Sequence, residues 1–188
     1  MKNVVVLSGG GMKCAYQVGA LKGLKYKDIT IDCIIGTSGG ALNASLIAQN
    51  KLEELELIWE YISKNGLDSL FDSNLLDLKT KKIKWITKIL PLSPFSKKGK
   101  NYVERLQDNL QNINELASST KLVKLLLTHV NKDKIKIPFY FNTVDLNTGT
   151  ELILSHRDFT DSADLAIGIA ASASIPVLLN PSIVNTVS

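Results

Sequence analysis

At 188 residues the chain is long enough to fold as one domain with a sizeable hydrophobic core. Hydrophobic residues make up 45% of it and charged residues 21%, which excludes an intrinsically disordered protein. The two cysteines, Cys14 and Cys33, are too few for a disulfide framework and predict free thiols in a reducing compartment. The apolar run Val4–Leu7 is too short for a signal peptide, so we expect a cytoplasmic protein. The net charge of +4 accompanies no nucleic-acid-binding motif, and no nucleic-acid partner is expected.

The first glycine-rich turn follows a predicted strand over residues 3–7. It reads Gly9-Gly10-Gly11 and leads into a predicted amphipathic helix over residues 13–26. Consecutive glycines expose successive backbone N–H groups, which form a nest that binds an anion. Two anions fit such a nest, a dinucleotide pyrophosphate and the oxyanion of an acyl-transfer intermediate. The dinucleotide fingerprint is broken, because Cys14 stands at its third glycine position and Asp32 opens the next strand instead of ending it.

The second turn joins a predicted strand over residues 31–35 to a helix of small residues over 40–50. Gly36-Thr37-Ser38-Gly39-Gly40 fits G-x-S-x-G, the nucleophile elbow, in which serine occupies the apex of a sharp strand-to-helix turn. The glycines let strand and helix approach closely, and the helix N-terminus directs its free N–H groups toward the Ser38 hydroxyl. The alternative is an ordinary strand–turn–helix with an incidental serine, since the pattern is common. Together the two turns predict an oxyanion hole that faces a nucleophile.

A polar-faced helical insert is predicted from about residue 51 to 135, with helices near 52–64, 79–90, 101–111 and 119–130. Between Lys79 and Val103 it carries eight lysines and no acidic residue. In the helix over 79–90, isoleucines share one face and lysines the other, with a tryptophan at the border. Such a segment suits an anionic membrane surface, and the alternative is a solvated lysine face over an ordinary core helix. The predicted membrane contacts are Lys81, Lys84, Trp85 and Lys88.

The last third of the chain predicts strands over 137–145, 151–154 and 177–184 and a helix over 161–173. Ser38, Asp145 and His156 occur in the chain order of an α/β-hydrolase triad. Asp145, however, falls in a strand and turn where a structural hydrogen bond is more natural, and His156 is expected in a surface loop. His129 ends a helical pattern and suits a helix C-terminus. A histidine-based triad is therefore the less favoured alternative.

Four motifs, in the same order along the chain, resemble those of the patatin-like phospholipase family. Gly9–Lys13 resembles its loop G-G-G-x-[R/K]-G, and Gly36–Gly40 resembles its elbow G-x-S-x-G. Asn142–Gly149 is similar to its segment T-D-L-x-T-G, and Ala170–Pro176 to its segment A-S-x-A-x-P. The likeness leaves residues 51 to 135 unmatched.

The resemblance implies a three-layer α/β/α sandwich with a mostly parallel central sheet, in which residues 1–188 belong to a single domain. It implies hydrolysis of fatty-acyl esters in phospholipids or other acyl lipids by a Ser–Asp dyad, without a metal or cofactor. Ser38 is then the nucleophile. Backbone N–H groups of Gly9, Gly10, Gly11 and Gly39 then form the oxyanion hole.

Two features depart from the family pattern. Cys14 stands where the family has glycine. A residue with a small thiol side chain fits at this position if its backbone angles are ordinary. The dyad aspartate of the family lies in a D-G-G or D-G-A motif, and neither sequence occurs here. The ending Asn185–Ser188 has no helix or polar tail, which predicts a truncated domain whose aspartate lies beyond residue 188. The alternative is a catalytically inactive lipid-binding or regulatory relative.

Overall fold

The computed structural model of the protein describes residues 2–66, 69–71, 119–174 and 182–186. Four strands within these ranges form one sheet in the order β1-β2-β3-β4. They are β1 (Val4–Leu7), β2 (Cys33–Gly36), β3 (Phe139–Val144) and β4 (Glu151–Ser155). β2 is parallel to both of its neighbours, whereas β4 runs antiparallel to β3. The predicted α/β class with a mostly parallel central sheet is confirmed.

The described helices follow the predicted pattern closely. They are α1 (Tyr16–Tyr26), α2 (Gly39–Ile47), α3 (Leu52–Asn65), α4 (Thr120–His129) and α5 (Ser162–Ala173). A 3₁₀ helix over Gly11–Ala15 precedes α1, so the first predicted helix begins with a more tightly wound segment than expected. Asp161 is the N-cap residue of α5, and its carboxylate accepts from the N–H groups of Ala163 and Asp164.

Some predictions lie outside the described residues. These are the helices over 79–90 and 101–111 and the membrane contacts Lys81, Lys84, Trp85 and Lys88. The predicted strand over 177–184 also lies largely outside them. Its described residues, 182–184, are irregular rather than extended into the sheet.

The core lies between one face of the sheet and α2. Leu7, Ile34, Phe139 and Phe141 are buried on that face, and α2 packs across β1, β2 and β3. α2 is buried along almost its whole length, which explains why its sequence is apolar and small on every side. α5 packs against both β3 and α2. The helix that begins at the serine turn is therefore fixed on several sides.

The strand register places the two glycine-rich turns side by side. Leu7 at the end of β1 pairs with Gly36 at the end of β2. Because these two strands are parallel, the segments that follow them leave the sheet at the same edge. The opposite sheet face presents Val4, Val6 and Ile153, which are exposed in the described part of the chain.

Candidate active site

The glycine loop and the serine elbow are in direct contact. A Cβ atom placed on Gly9 would lie 3.2 Å from the Cβ of Ser38. One placed on Gly40 would lie 2.3 Å from the carbonyl oxygen of Leu7, so only glycine allows this approach of α2 to β1. The loop residues 9–11 are exposed and Ser38 is half-buried, so solvent reaches the junction. The two predicted turns thus form one accessible site.

Ser38 has the backbone conformation expected of a nucleophile elbow. Its φ is +57° and its ψ is −125°, a combination that costs a non-glycine residue about 1–3 kcal/mol. Ser38 is also the N-cap residue of α2, whose first turn is closed by the bond from the Ala41 N–H to the Ser38 carbonyl, 2.8 Å. A Cβ on Gly36 would lie 2.4 Å from the Gly40 carbonyl oxygen, which explains the glycine before the turn. The serine is therefore presented at the positive end of the helix dipole.

Two side chains from distant parts of the sequence hold the elbow. The Ser172 hydroxyl, in the last turn of α5, accepts a hydrogen bond of 2.9 Å from the Ser38 N–H. The Thr37 hydroxyl donates to the Asn142 side-chain oxygen over 2.7 Å, which ties the elbow to β3. Both Ser172 and Asn142 lie in the segments that carried the family resemblance. Neither contact with the elbow was predicted from the sequence.

Cys14 packs behind the elbow without strain. Its side chain is buried, and its Sγ lies 3.6 Å from the Ser8 carbonyl oxygen. A Cβ on Gly39 would approach this sulfur to 2.8 Å, so the thiol occupies the space beside the first residue of α2. Its φ is not among the positive values of the described residues, so cysteine fits where glycine was expected. Burial raises the pKa of the Cys14 thiol, and a backbone N–H from Gly40 offsets only part of that effect.

The histidine-based triad is not assembled. Ser155 pairs with Tyr140, and the neighbouring His156 places Nδ1 3.4 Å from the Phe139 carbonyl, at the beginning of β3. Ser38 lies at the opposite edge of the sheet, where the parallel strands end. Asp145 lies four residues beyond the last residue of β3 that pairs with β2, about 13 Å further along the strand direction.

Asp145 has a structural role in its own turn. Its carboxylate accepts from the Asn147 N–H at 2.9 Å and from the Thr148 hydroxyl at 3.0 Å. The Asn147 N–H and the Thr148 hydroxyl hold the pKa of this exposed carboxyl below its ordinary value. The turn residue predicted from the sequence is therefore confirmed in that structural role.

His129 belongs to a separate cluster. It ends α4, and its Nδ1 contacts a Glu54 carboxylate oxygen, while Lys51 donates to the His129 carbonyl oxygen at 2.6 Å. Lys51 follows the C-terminal end of α2, whereas Ser38 precedes its N-terminal end. The nine residues of α2 separate the two positions by about 13 Å.

The acidic residue that the dinucleotide-binding alternative requires does not lie near the glycine loop. Asp32 accepts a bond of 2.7 Å from the Asn3 N–H, at the beginning of β1 and β2. The glycine loop leaves the opposite edge of the sheet, so Asp32 is far from any anion bound there. Across the described ranges, no three His, Cys, Asp or Glu side chains form a group that could hold a metal ion. No helix in the part of the chain that the structure covers is long and apolar enough to cross a membrane.

Comparison with known families gives the same answer as the motifs. A family model described as Patatin-like phospholipase matches residues 5–187. The chain belongs to the patatin-like phospholipase family.

One curated relative of this patatin-like chain, from Coccidioides immitis, is 46% identical over 55 residues, which cover 29% of the chain and 8% of the relative. Another, from Pyricularia oryzae, is 44% identical over 55 residues, which cover 29% and 7%. Both are named patatin-like phospholipase domain-containing proteins, and the matched segment of the patatin-like chain covers less than a tenth of their length.

Two solved structures of the ExoU–SpcU complex, from the type III secretion system of Pseudomonas aeruginosa, are similar to 94% of the patatin-like chain. One is 19% identical with a TM-score of 0.41, and 37% of the matched chain is covered. The other is 18% identical with a TM-score of 0.44, and 39% is covered.

Proposed function

We propose that the protein is a serine hydrolase that cleaves fatty-acyl esters in phospholipids or related lipids, with Ser38 as nucleophile. The contact between Gly9 and Ser38 carries this proposal. It brings a loop of three exposed glycines beside a strained, accessible serine at a helix N-terminus. Membership of the patatin-like phospholipase family supports the same reaction class.

The chemistry follows from this arrangement. The Ser38 hydroxyl attacks the ester carbonyl carbon, and its proton passes to a base. The carbonyl oxygen becomes an oxyanion, which the N–H groups of Gly9, Gly10, Gly11 and Gly39 stabilise; removing one such donor typically costs about 3 kcal/mol. The intermediate then expels the alcohol portion of the lipid, which takes up the proton. Water finally hydrolyses the acyl-serine and releases the fatty acid.

We assign the role of base to an aspartate outside these 188 residues, because no D-G-G or D-G-A motif occurs within them. Asp145 is unsuitable, since its carboxylate is occupied within its own turn. A hydrolase of this kind meets its substrate at a lipid–water interface. We propose that Lys81, Lys84, Trp85 and Lys88 make peripheral contact with an anionic membrane on the cytoplasmic side.

A fluorophosphonate probe tests the nucleophile. We expect covalent labelling at Ser38 that disappears in Ser38→Ala, together with release of fatty acid that is faster from anionic than from zwitterionic phospholipid vesicles. Ser45→Ala is the matched control, because Ser45 lies in the same helix and its hydroxyl donates to the Leu42 carbonyl. Labelling that persists in Ser38→Ala contradicts the assignment. An absence of labelling in the protein extended past residue 188 favours an inactive lipid-binding relative.

A further inference from the structure

A chain of side-chain hydrogen bonds connects α3, α2 and α1 to the glycine loop. The Trp59 indole N–H donates to the Asn43 Oδ1 over 2.7 Å. The Asn43 Nδ2 donates to the Gln17 Oε1 over 2.8 Å, and the Gln17 Nε2 donates to the Ser8 carbonyl oxygen over 2.7 Å. Asn43 is fully buried, and Trp59 is nearly so. The chain therefore runs from the core to the peptide that opens the loop.

The indole fixes the direction of every bond in this chain. Because an indole N–H can only donate, it must meet the oxygen of the Asn43 amide. The Asn43 NH₂ group then faces Gln17, which must accept through its own oxygen. This leaves the Gln17 NH₂ group for the Ser8 carbonyl, so flipping either amide would place an N–H donor against another N–H donor.

The bond to Ser8 also fixes the N–H of the following residue. The Ser8 carbonyl and the Gly9 N–H belong to one planar trans peptide and point in opposite directions. Since the carbonyl faces Gln17 on α1, the Gly9 N–H is turned away from α1. Gly9 itself lies against Ser38. Glycine cannot resist rotation of this peptide through its own side chain, so its orientation depends on partners such as Gln17.

Asn43 holds the other end of the loop as well. Its Nδ2 also donates to the Cys14 carbonyl oxygen over 2.9 Å. The same residue thus contacts the backbone after the three glycines directly and the backbone before them through Gln17. Asn43 is five residues past Ser38 on the helix that presents the nucleophile. Its hydrogen bonds therefore fix the position of the glycine loop relative to that helix.

We propose that Gln17 is a positioning residue, which fixes the Ser8–Gly9 peptide so that the Gly9 N–H faces the oxygen of an ester bound at Ser38. This inference rests on the proposed hydrolase function. Gln17 contacts neither the ester nor the serine, and it acts only through the loop. Its loss therefore weakens stabilisation of the transition state more than binding of the substrate.

Gln17→Met tests this role, because it removes both hydrogen bonds and keeps a side chain of similar length. We expect kcat for a soluble ester and the rate of fluorophosphonate labelling at Ser38 to fall about 10- to 100-fold, with KM changed by less than about twofold. The Gly9 amide resonance in a ¹H–¹⁵N spectrum should shift or broaden. Gln17→Glu should behave similarly, since a carboxylate cannot donate to the Ser8 carbonyl.

Gln49→Met is the matched control. Gln49 also donates from Nε2 to a backbone carbonyl, that of Ser45, and accepts a backbone N–H, that of Asn131. It lies beyond the far end of α2, so its loss should lower stability and leave both the labelling rate and the Gly9 resonance unchanged.

The outcomes separate this inference from the proposed function. If wild-type Ser38 is labelled and Gln17→Met reacts at the same rate, the inference is refuted and the hydrolase proposal stands. If wild-type Ser38 is not labelled in a protein that includes the proposed aspartate base, the hydrolase proposal fails, and the Gly9 resonance then tests whether Gln17 orients the Ser8–Gly9 peptide. A resonance that Gln17→Met leaves unchanged overturns the inference, and one that moves supports the control of the peptide by Gln17.

Discussion

Ser38 differs from the other described non-glycine residues that have positive φ. Asp28 and Asn50, with φ of +51° and +60°, are of the types that tolerate the left-handed region. Ser38 combines a φ of +57° with a ψ of −125°, which lies outside that region. Such a conformation persists only when its surroundings hold it. Ser172 supplies part of this restraint, because its hydroxyl accepts a hydrogen bond from the Ser38 N–H.

Ser172→Ala should weaken the restraint on the backbone conformation of Ser38. The Ser38 N–H loses its acceptor in a partly buried place, so we expect the free energy of unfolding to fall by about 1–3 kcal/mol. We also expect fluorophosphonate labelling of Ser38 to slow about tenfold, because the strained serine is then free to relax. Urea denaturation and the labelling time course measure the two effects.

Ser174→Ala is the control for this change. Ser174 lies two residues further on, and its hydroxyl donates to the Ala170 carbonyl within the same helix end. Ser172→Thr keeps the acceptor oxygen and should restore most of the labelling rate. If Ser174→Ala slows labelling as much as Ser172→Ala does, the effect comes from the helix end and not from the bond to Ser38.

At the residue scale, the sequence predicts the serine and the glycines but not their partners. The G-x-S-x-G and triple-glycine patterns are local, and the steric reasons for them are contained within a few residues. Ser172 and Asn142 reach the elbow across 134 and 105 residues of sequence, so their contacts arise only after the sheet and helices pack. The same holds for Gln17 and Asn43, whose polar side chains look unremarkable beside the apolar pattern of their helices.

At the element scale, α2 is buried along almost its whole length among the helices that the structure describes. Its small residues let it lie across three strands, and Gly40 allows it to touch the backbone at the end of β1. A small-residue helix after a strand was predictable from the sequence. The 3₁₀ start of the helix after the glycine loop was not, because Gly11 has a φ of +55° and directs the chain into a tighter turn.

Gly40→Ala should separate α2 from β1. The added methyl group would lie 2.3 Å from the Leu7 carbonyl oxygen and 2.8 Å from that of Ser8, and backbone atoms cannot rotate out of the way. We expect a loss of about 1–3 kcal/mol or more in the free energy of unfolding, measured by urea denaturation.

Gly23→Ala provides the opposite case for comparison. Gly23 lies within α1, and a Cβ there would meet no atom within 4 Å. Alanine should stabilise this helix by about 0.5–1 kcal/mol, since it removes the entropy cost of a helical glycine. If both alanines had the same effect, helix propensity and not the contact with β1 would explain the role of Gly40.

At the scale of the whole molecule, one charged cluster joins helices that are distant in sequence. Glu54 of α3 contacts the His129 ring at the end of α4, and Lys51 lies 3.3 Å from the Glu54 carboxylate. Burial raises the pKa of Glu54, but the hydrogen bond with His129 and the charge and hydrogen bond of Lys51 outweigh it. The net result is a pKa below the ordinary value of 4.5.

This shift predicts how stability depends on pH. Because the folded state has the lower pKa, the unfolded state takes up the proton first as the pH falls. The stabilisation from Glu54 is fully present above 4.5, its ordinary value, and is lost as the pH falls from there through the folded-state pKa. Glu54→Gln should therefore lower the urea midpoint near pH 6 and flatten its decline toward about pH 4.

Glu60→Gln serves as control. Glu60 lies on the same helix, and its exposed ion pair with Lys64 contributes little to stability. A Glu54→Gln profile that parallels the wild-type profile over this range would show that the cluster does not couple α3 to α4.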